Sequence, residues 1–319
     1  MRAILYGRYG PPEVLEIKDI PKPTPKDDEV LIKVHATTVT VADWRLRSLS
    51  APRGFGIPMR LAMGPSKPRR PILGSELSGE IEAIGKDVSR FKVGDPVFAG
   101  VLATYVEYKC VREEGALALK PANLSYEEAA ALSFGGCTAL AIIRKGKIGH
   151  GQSVLVNGAS GAVGTAAVQL AKHHGARVTG VCSTANLELV KSLGADEVID
   201  YTREDFARSG KTYDVIVDNV GNAPFSRTKG SLNKGGRLLL VVGTLSEMLT
   251  APLVSLGSGK RVIVVPARAN AGDLRFLASL AESGRFKPVI DRRYRFEQMV
   301  EAHRYVDTGR KRGNVVVTL

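Results

Sequence analysis

Apolar and polar positions follow two rhythms along this chain. Through about the first 120 residues, short apolar stretches such as Val30–Val34 and Leu77–Ile81 sit among prolines and glycines. That texture predicts irregular antiparallel β-structure. Ser125 offers an N-cap ahead of Glu127, Glu128 and an alanine-rich run, which predicts a helix from Tyr126 to about Arg144.

From Ser153 the rhythm is regular. Val154–Val156 reads as a short buried strand. Val163, Ala166, Ala167, Leu170 and Ala171 then recur at helical spacing, and Gly175 ends the helix. Arg177–Cys182 is the next strand, and Leu187–Leu193 is a helix closed by Gly194. Further strands are predicted at Val198–Ile199, Tyr213–Asp218 and Arg237–Val242. Apolar runs alternating with helices predict a parallel sheet covered on both faces, an α/β fold. Beyond about residue 265 come a helix near Gly272–Ser283, a strand, a helix near Phe296–Tyr305 and a closing strand, Asn314–Thr318. This tail is expected to return to the first domain.

A length of 319 residues exceeds one ordinary core and suits two domains. The change of rhythm places one at 1–122, completed by 265–319, and the other at 123–264. Hydrophobic residues at 44% and charged residues at 24% mark a globular chain rather than a disordered one. No apolar run reaches the roughly 18 residues of a membrane span. Met1-Arg2-Ala3-Ile4 enters a strand-like pattern with no charged-then-apolar leader, so a soluble, cytoplasmic chain without a membrane partner is expected. Cys110, Cys137 and Cys182 are odd in number and far apart, which fits a reducing compartment and makes no cysteine-built zinc site. The formal charge of +13 admits a polyanionic partner. The basic residues are scattered, however, with the tightest groups at Lys67-Pro-Arg-Arg70 and Arg310-Lys-Arg312. A solvated basic surface that attracts an anionic cofactor is the simpler reading.

The most informative segment joins a strand to a helix: Asn157-Gly-Ala-Ser-Gly-Ala-Val-Gly164. Ala159, Gly161 and Gly164 occupy the three places of a dinucleotide fingerprint. Gly161 lets backbone approach a pyrophosphate, and Gly164 lets the helix pack against the strand. The helix N-terminus, with Ser160, Ala162 and Val163 around it, offers amide donors and a positive dipole end. An NAD site places an acid about 20 residues on, to hold the ribose hydroxyls. Here Ser183 stands there instead, and no carboxylate occupies that place to repel a 2′-phosphate. Ser183 can donate to such a phosphate, cap a helix, or both; Lys191 and Tyr201 are further candidates from neighbouring elements. NADPH is the expected cofactor.

Several stretches resemble a known family across nearly the whole chain: Pro71–Gly79, Arg90–Val97, Lys120–Ala131, Gly158–Gly164, Leu193–Tyr201 and Arg312–Val317. They resemble the medium-chain dehydrogenase/reductase superfamily, in its zinc-independent quinone oxidoreductase, or zeta-crystallin-like, branch. The resemblance implies a GroES-like β-rich catalytic domain built from both chain ends, a doubly wound Rossmann domain between them, a cofactor cleft at the domain boundary, and a homodimer. By motif position, Gly161, Ala162 and Val163 would touch the pyrophosphate, and Ser183 and Tyr201 the adenosine phosphate end. Asn219, Val220 and Gly221, with Val242, Gly243 and Thr244, would lie along the nicotinamide half, and Asn314 would face the cofactor. Zinc-containing relatives carry His-Glu after the glycine of the Leu-Gly motif. Here the stretch is Gly74-Ser75-Glu76, and the four-cysteine lobe is missing, so no metal is expected. His173-His174 reads as a solvated helix-end pair. Thr40 stands where quinone reductases commonly have Asn.

Without a metal, such a protein must supply position, a dry cleft and donors toward developing negative charge. Quinones and α,β-unsaturated carbonyls suit this, because the electron pair delocalises onto oxygen. Thr40, Trp44 and Arg45 lie in the stretch that lines the family's cleft. Thr40 is expected to orient cofactor or substrate, and Trp44 to form an apolar wall or simply pack in the core. No general acid is evident: no tyrosine occurs between Tyr9 and Tyr105. The expected activity is NADPH-dependent hydride transfer to a quinone or similar small-molecule acceptor. An alkenal or enone reductase is the alternative enzyme. An NADPH-binding single-stranded nucleic-acid-binding protein is the alternative of another class, disfavoured by the lack of a clustered aromatic-basic surface.

Overall fold

The computed structural model describes residues 1–266 and 268–319. Met1–Ala51, Gly56–Phe134 and Ala269–Leu319 form one unit of the fold, and Pro52–Phe55 with Gly135–Arg268 form the other.

The first unit opens with β1 (Arg2–Tyr6) and β2 (Leu15–Asp19), an antiparallel pair. β3 (Glu29–Val39) follows, then two helices, α1 (Val41–Ser48) and α2 (Gly56–Met63). β4 (Leu77–Ile84), β5 (Pro96–Ala99), β6 (Tyr108–Arg112) and β7 (Leu117–Leu119) complete the irregular β-region, with mostly antiparallel pairing as its alternation predicts. Val30, Ile32 and Val34 of β3 bury against Leu77, Ile81, Val97, Val111 and Leu117. The helix predicted from Tyr126 to Arg144 is two helices, α3 (Tyr126–Ala130) and α4 (Ser133–Gly146). The break has a tertiary cause: the Phe134 amide donates to the Glu76 carboxylate at 2.6 Å.

The second unit holds β8 (Ser153–Asn157), α5 (Ala162–His173), β9 (Arg177–Cys182), α6 (Leu187–Ser192), β10 (Glu197–Asp200) and β11 (Tyr213–Asp218). It continues with α7 (Phe225–Thr228), β12 (Leu232–Leu240), α8 (Leu245–Ser258) and β13 (Arg261–Val264). The six strands are all parallel, in the order β10-β9-β8-β11-β12-β13. This is the Rossmann order, and it reverses direction between β8 and β11. Strands β8, β9, β11 and β12 bury Leu155, Val181, Ile216, Leu238 and Leu240 in one core. The strand predicted at Arg237–Val242 starts earlier, at Leu232, and stops before Val241 and Val242.

The tail returns to the first unit as α9 (Ala271–Glu282), β14 (Ile290–Arg295), α10 (Met299–Asp307) and β15 (Asn314–Thr318). β15 joins β3 antiparallel, giving a seven-stranded sheet with β14 at one edge. The division drawn at 122/123 shifts to 134/135. α3 stays with the first unit because Ala130 and Ala131 pack on Ala36 and Val316, and the Ser78 hydroxyl donates to the Tyr126 carbonyl. The division drawn at 264/265 moves to 268/269. Pro52–Phe55 groups with the second unit, where the Leu245 amide donates to the Arg53 carbonyl at 3.0 Å. No helix among the described residues is long and apolar enough to cross a membrane.

Candidate active site

In the second unit the strand ends on either side of the sheet's reversal carry most of the expected cofactor residues. The Gly158 and Ala159 amides both donate to the Val181 carbonyl, which ties the turn after β8 to β9. Gly158 has φ +76°, where side chains are strained. Gly164 is required by packing: a Cβ there would lie 2.1 Å from the Gly158 carbonyl oxygen. Gly161 differs. Its φ is −79°, and a Cβ would meet nothing nearer than 3.7 Å. The chain's own packing therefore does not demand a glycine there. Gly161 is the N-cap of α5 and supplies no side-chain cap, so the first-turn amides of Ala162, Val163 and Gly164 keep their donors.

Asp218, at the end of β11, organises the next turn. Its carboxylate accepts from Asn157 Nδ2 and from the amides of Val220, Gly221 and Ala223, at 2.9–3.0 Å. Asn219 Nδ2 donates to the Asn157 carbonyl, leaving the Asn219 Oδ1 buried without a partner. A Cβ on Gly221 would stand 3.0 Å from Val242 Cγ1, so these two strand ends adjoin. Thr244 caps α8: its hydroxyl bonds the Glu247 carboxylate at 2.7 Å and accepts from the Glu247 amide. Gly243 lies between these two features. An open glycine, an uncapped twelve-residue helix and the unpartnered Asn219 oxygen fit a dinucleotide.

The region expected to meet the adenosine end is more crowded than sequence spacing suggests. Asn186 Nδ2 donates to both Ser160 Oγ and Ser183 Oγ, drawing those two hydroxyls together. Ser183 sits at the N-cap of a short 3-10 turn but makes no side-chain cap bond. Lys191 pairs with Glu188 on its own helix at 3.4 Å. Tyr201 is exposed, and its amide donates to the Cys182 carbonyl. A carboxylate does stand nearby: β10 pairs Asp200 with Cys182. Hydrogen bonds from Thr184 and Thr202 hold Asp200 below the usual carboxylate range, and Arg203 Nε is 3.6 Å away.

In the first unit, β3, β4 and β15 bring polar groups to one end of the sheet. Val315 pairs with Val39, so Asn314 lies one position beyond, beside Thr40. Asn314 Nδ2 donates to the Val289 carbonyl at 3.1 Å. Thr40 is a buried N-cap rather than a free donor. Its hydroxyl proton goes to Asp43 Oδ2 at 2.6 Å, and its oxygen accepts from the Asp43 amide at 3.2 Å. One lone pair is left, so Thr40 can accept but not donate. Trp44 packs against the core cluster of Ile4, Val39, Phe296 and Val315. Burial draws the Arg45 guanidinium below its ordinary value.

Three residues central to this region went unnoticed in the sequence. Asp43 is buried and also accepts from the Gly74 amide at 3.0 Å; burial raises its carboxyl above its ordinary value. Burial pushes Glu76 up to about 7, against hydrogen bonds from Thr38 and the Phe134 amide, with Asp43 adding repulsion. Burial pushes Lys311 down to about 8, opposed by Glu76 and Asp291. The spacing Thr40-x-x-Asp43 was a legible cap signal; nothing local announces the nearness of Glu76 to Lys311. Among the described residues, no three His, Cys, Asp or Glu side chains are placed to hold a metal ion. The Ser75 hydroxyl, where zinc relatives carry His, is buried without a partner.

The alcohol dehydrogenase GroES-like domain family matches residues 26–150, and the zinc-binding dehydrogenase family matches 193–317. Human quinone oxidoreductase is 33% identical, covering 97% of this chain and 94% of that protein. The chain belongs to the medium-chain dehydrogenase/reductase superfamily, as a quinone oxidoreductase-like protein. An Arabidopsis thaliana chloroplastic NADPH-dependent alkenal/one oxidoreductase is 32% identical, over 99% of this chain and 79% of that one. The quinone oxidoreductase of Coxiella burnetii superposes with a TM-score of 0.88 at 29% identity, covering 100% of this chain and 99% of that one. This quinone oxidoreductase-like protein is therefore an oxidoreductase of the NAD(P)-dependent kind that acts on small molecules.

Proposed function

We propose that this oxidoreductase uses NADPH, without a metal, to reduce a quinone or a similarly electron-poor carbonyl acceptor. The observation that carries the cofactor reading is Gly161, a glycine that the protein's own packing leaves unexplained at an uncapped helix end. When bound, the nicotinamide supplies a hydride. The amides after Gly161 hold the pyrophosphate, and Asp218 fixes the turn that carries Asn219 to Gly221 along the nicotinamide half. The preference for a 2′-phosphate is supported by Ser183, held by Asn186, while Asp200 is occupied by Thr184 and Thr202. Lys191, turned to Glu188, must leave that pair to take part. The missing histidine after Gly74 supports a metal-free reaction.

Reduction of a carbon–carbon double bond conjugated to a carbonyl is the second reading, favoured by a different observation. The NADPH-dependent alkenal/one oxidoreductase of Arabidopsis thaliana, 32% identical over 99% of this chain, supports it. NADPH oxidation against a panel of quinones, enones, alkenals and simple aldehydes tests both. Turnover of aldehydes alone would sink both.

A homodimer is supported by the sheet edge at β13 and the neighbouring α8, where Leu249, Leu253 and Leu256 recur at helical spacing and are exposed. Sedimentation of the Leu253→Lys variant against the parent tests it; a parent that sediments as a monomer removes the reading.

A further inference from the structure

Between Trp44 and Ser75 the chain carries seven Lys or Arg and no Asp or Glu. Arg47 is buried, but Arg60, Lys67, Arg69 and Arg70 are all exposed in the first unit. Within the same stretch α2 buries none of its eight residues. Ile57 is 77% and Leu61 61% exposed, one helical turn apart on one face. A globular helix normally turns its apolar face to the core; this one presents it outward, flanked by cations.

The segment is nonetheless well anchored. The Tyr9 hydroxyl donates to the Gly64 carbonyl at 2.9 Å, and the Tyr6 amide to the Pro71 carbonyl at 2.9 Å. Arg60 Nε donates to the Pro65 carbonyl at 2.8 Å, and the Arg69 amide to the Met63 carbonyl. These bonds preform the helix and the turn after it, so little ordering remains for a partner to impose.

We propose that α2 and the Lys67–Arg70 turn form a docking surface for an anionic phospholipid bilayer. Aliphatic side chains on one face insert at the headgroup–acyl boundary, while the cations around them meet lipid phosphates and carboxylates. Charge complementarity selects this partner, because no carboxylate in the stretch opposes an anionic surface. A nucleic acid would share the cations but needs aromatic platforms for its bases. The stretch exposes Ile57 and Leu61 instead, and Trp44 packs on the core. The surface does not depend on which acceptor the enzyme reduces, and its test does not read activity.

The test is cosedimentation of the full chain with phosphatidylcholine vesicles, with and without phosphatidylserine. Binding is expected only to the anionic vesicles, and it should weaken as salt rises from about 0.1 M to about 1 M, where the screening length falls from roughly 10 Å to 3 Å. Lys67→Gln with Arg70→Gln should weaken binding roughly thirtyfold, since each cation near such a surface is worth about 1 kcal/mol. Ile57→Gln with Leu61→Gln should also weaken it while the melting temperature holds, because all four side chains are exposed. Equal binding to neutral vesicles, no binding to either, or unchanged binding of both double variants would overturn the proposal. So would a single-stranded oligonucleotide that binds wild type and the Ile57/Leu61 variant alike while vesicles do not.

Discussion

The Thr40 hydroxyl gives its one proton to the Asp43 carboxylate at 2.6 Å and takes a hydrogen bond from the Asp43 amide at 3.2 Å. This reciprocal pair starts α1 and sets what Thr40 can offer a ligand. Thr40→Ser should keep the cap and Thr40→Val should break it, costing about 1 kcal/mol or somewhat more, because a buried carboxylate also loses a donor. Chemical denaturation checks this. Equal stability of the two variants would show that the hydroxyl is not a cap.

Gly161 and Gly164 separate binding from folding. Gly164→Ala drives a Cβ to 2.1 Å from a backbone oxygen and should destabilise the fold by about 2 kcal/mol or more. Gly161→Ala places its Cβ in ordinary van der Waals contact, 3.7 Å from the Gly158 carbonyl oxygen, at an ordinary φ, and should leave stability within about 1 kcal/mol of wild type. It should nevertheless weaken NADPH binding at least tenfold, about 1.4 kcal/mol, by crowding the pyrophosphate. Melting curves and fluorescence titrations read the two effects. Wild-type affinity in Gly161→Ala would remove the phosphate from this turn.

NADPH should bind at least tenfold more tightly than NADH, about 1.4 kcal/mol. Ser183→Asp should reverse or erase that preference by setting a second carboxylate near Asp200. Equal affinities of the two cofactors for wild type would end the 2′-phosphate argument.

Glu76 links stability to pH. Its carboxyl stands at about 7 rather than 4.5, so the folded state binds this proton more tightly than the unfolded chain does. The stability it contributes is complete below pH 4.5 and is lost as pH rises through about 7. Lys311, lowered from 10.5 to about 8, acts at the other end: stability rises as pH climbs from about 8 through 10.5. Glu76→Gln should flatten the acid limb, whose depth is at most about 3 kcal/mol. Denaturation midpoints at several pH values measure it, and an unchanged limb in the variant would assign the linkage elsewhere.

Elemental analysis of purified protein should find no stoichiometric zinc, and chelation should leave NADPH oxidation intact. Activity lost to a chelator and restored by zinc would contradict the metal-free reading drawn from Ser75 and the scattered cysteines.

Local order carried much of this protein into its sequence. Alternation of apolar strands with helices announced the parallel sheet, because each element's periodicity is set by its own residues. The strand–glycine–helix passage from Asn157 to Gly164 marked the turn between β8 and α5 for the same reason, and Ser125 marked the start of α3. Helix α2 lay hidden in a region whose prolines and glycines suggest only irregular structure. What the tertiary structure decided was neighbourhood. Strand β10 sets Asp200 beside Cys182, although 18 residues separate them in sequence. Pairing of β15 with β3, and of β3 with β4, draws Asn314, Thr40, Glu76 and Lys311 into one region from remote parts of the chain. Burial there moves Glu76 and Lys311 toward neutrality, and Asp43 takes the Thr40 proton. Residue spacing encodes the period of a helix or strand; which side chains share a low-dielectric site depends on strand pairing across the sheet, and that is settled only when the core closes.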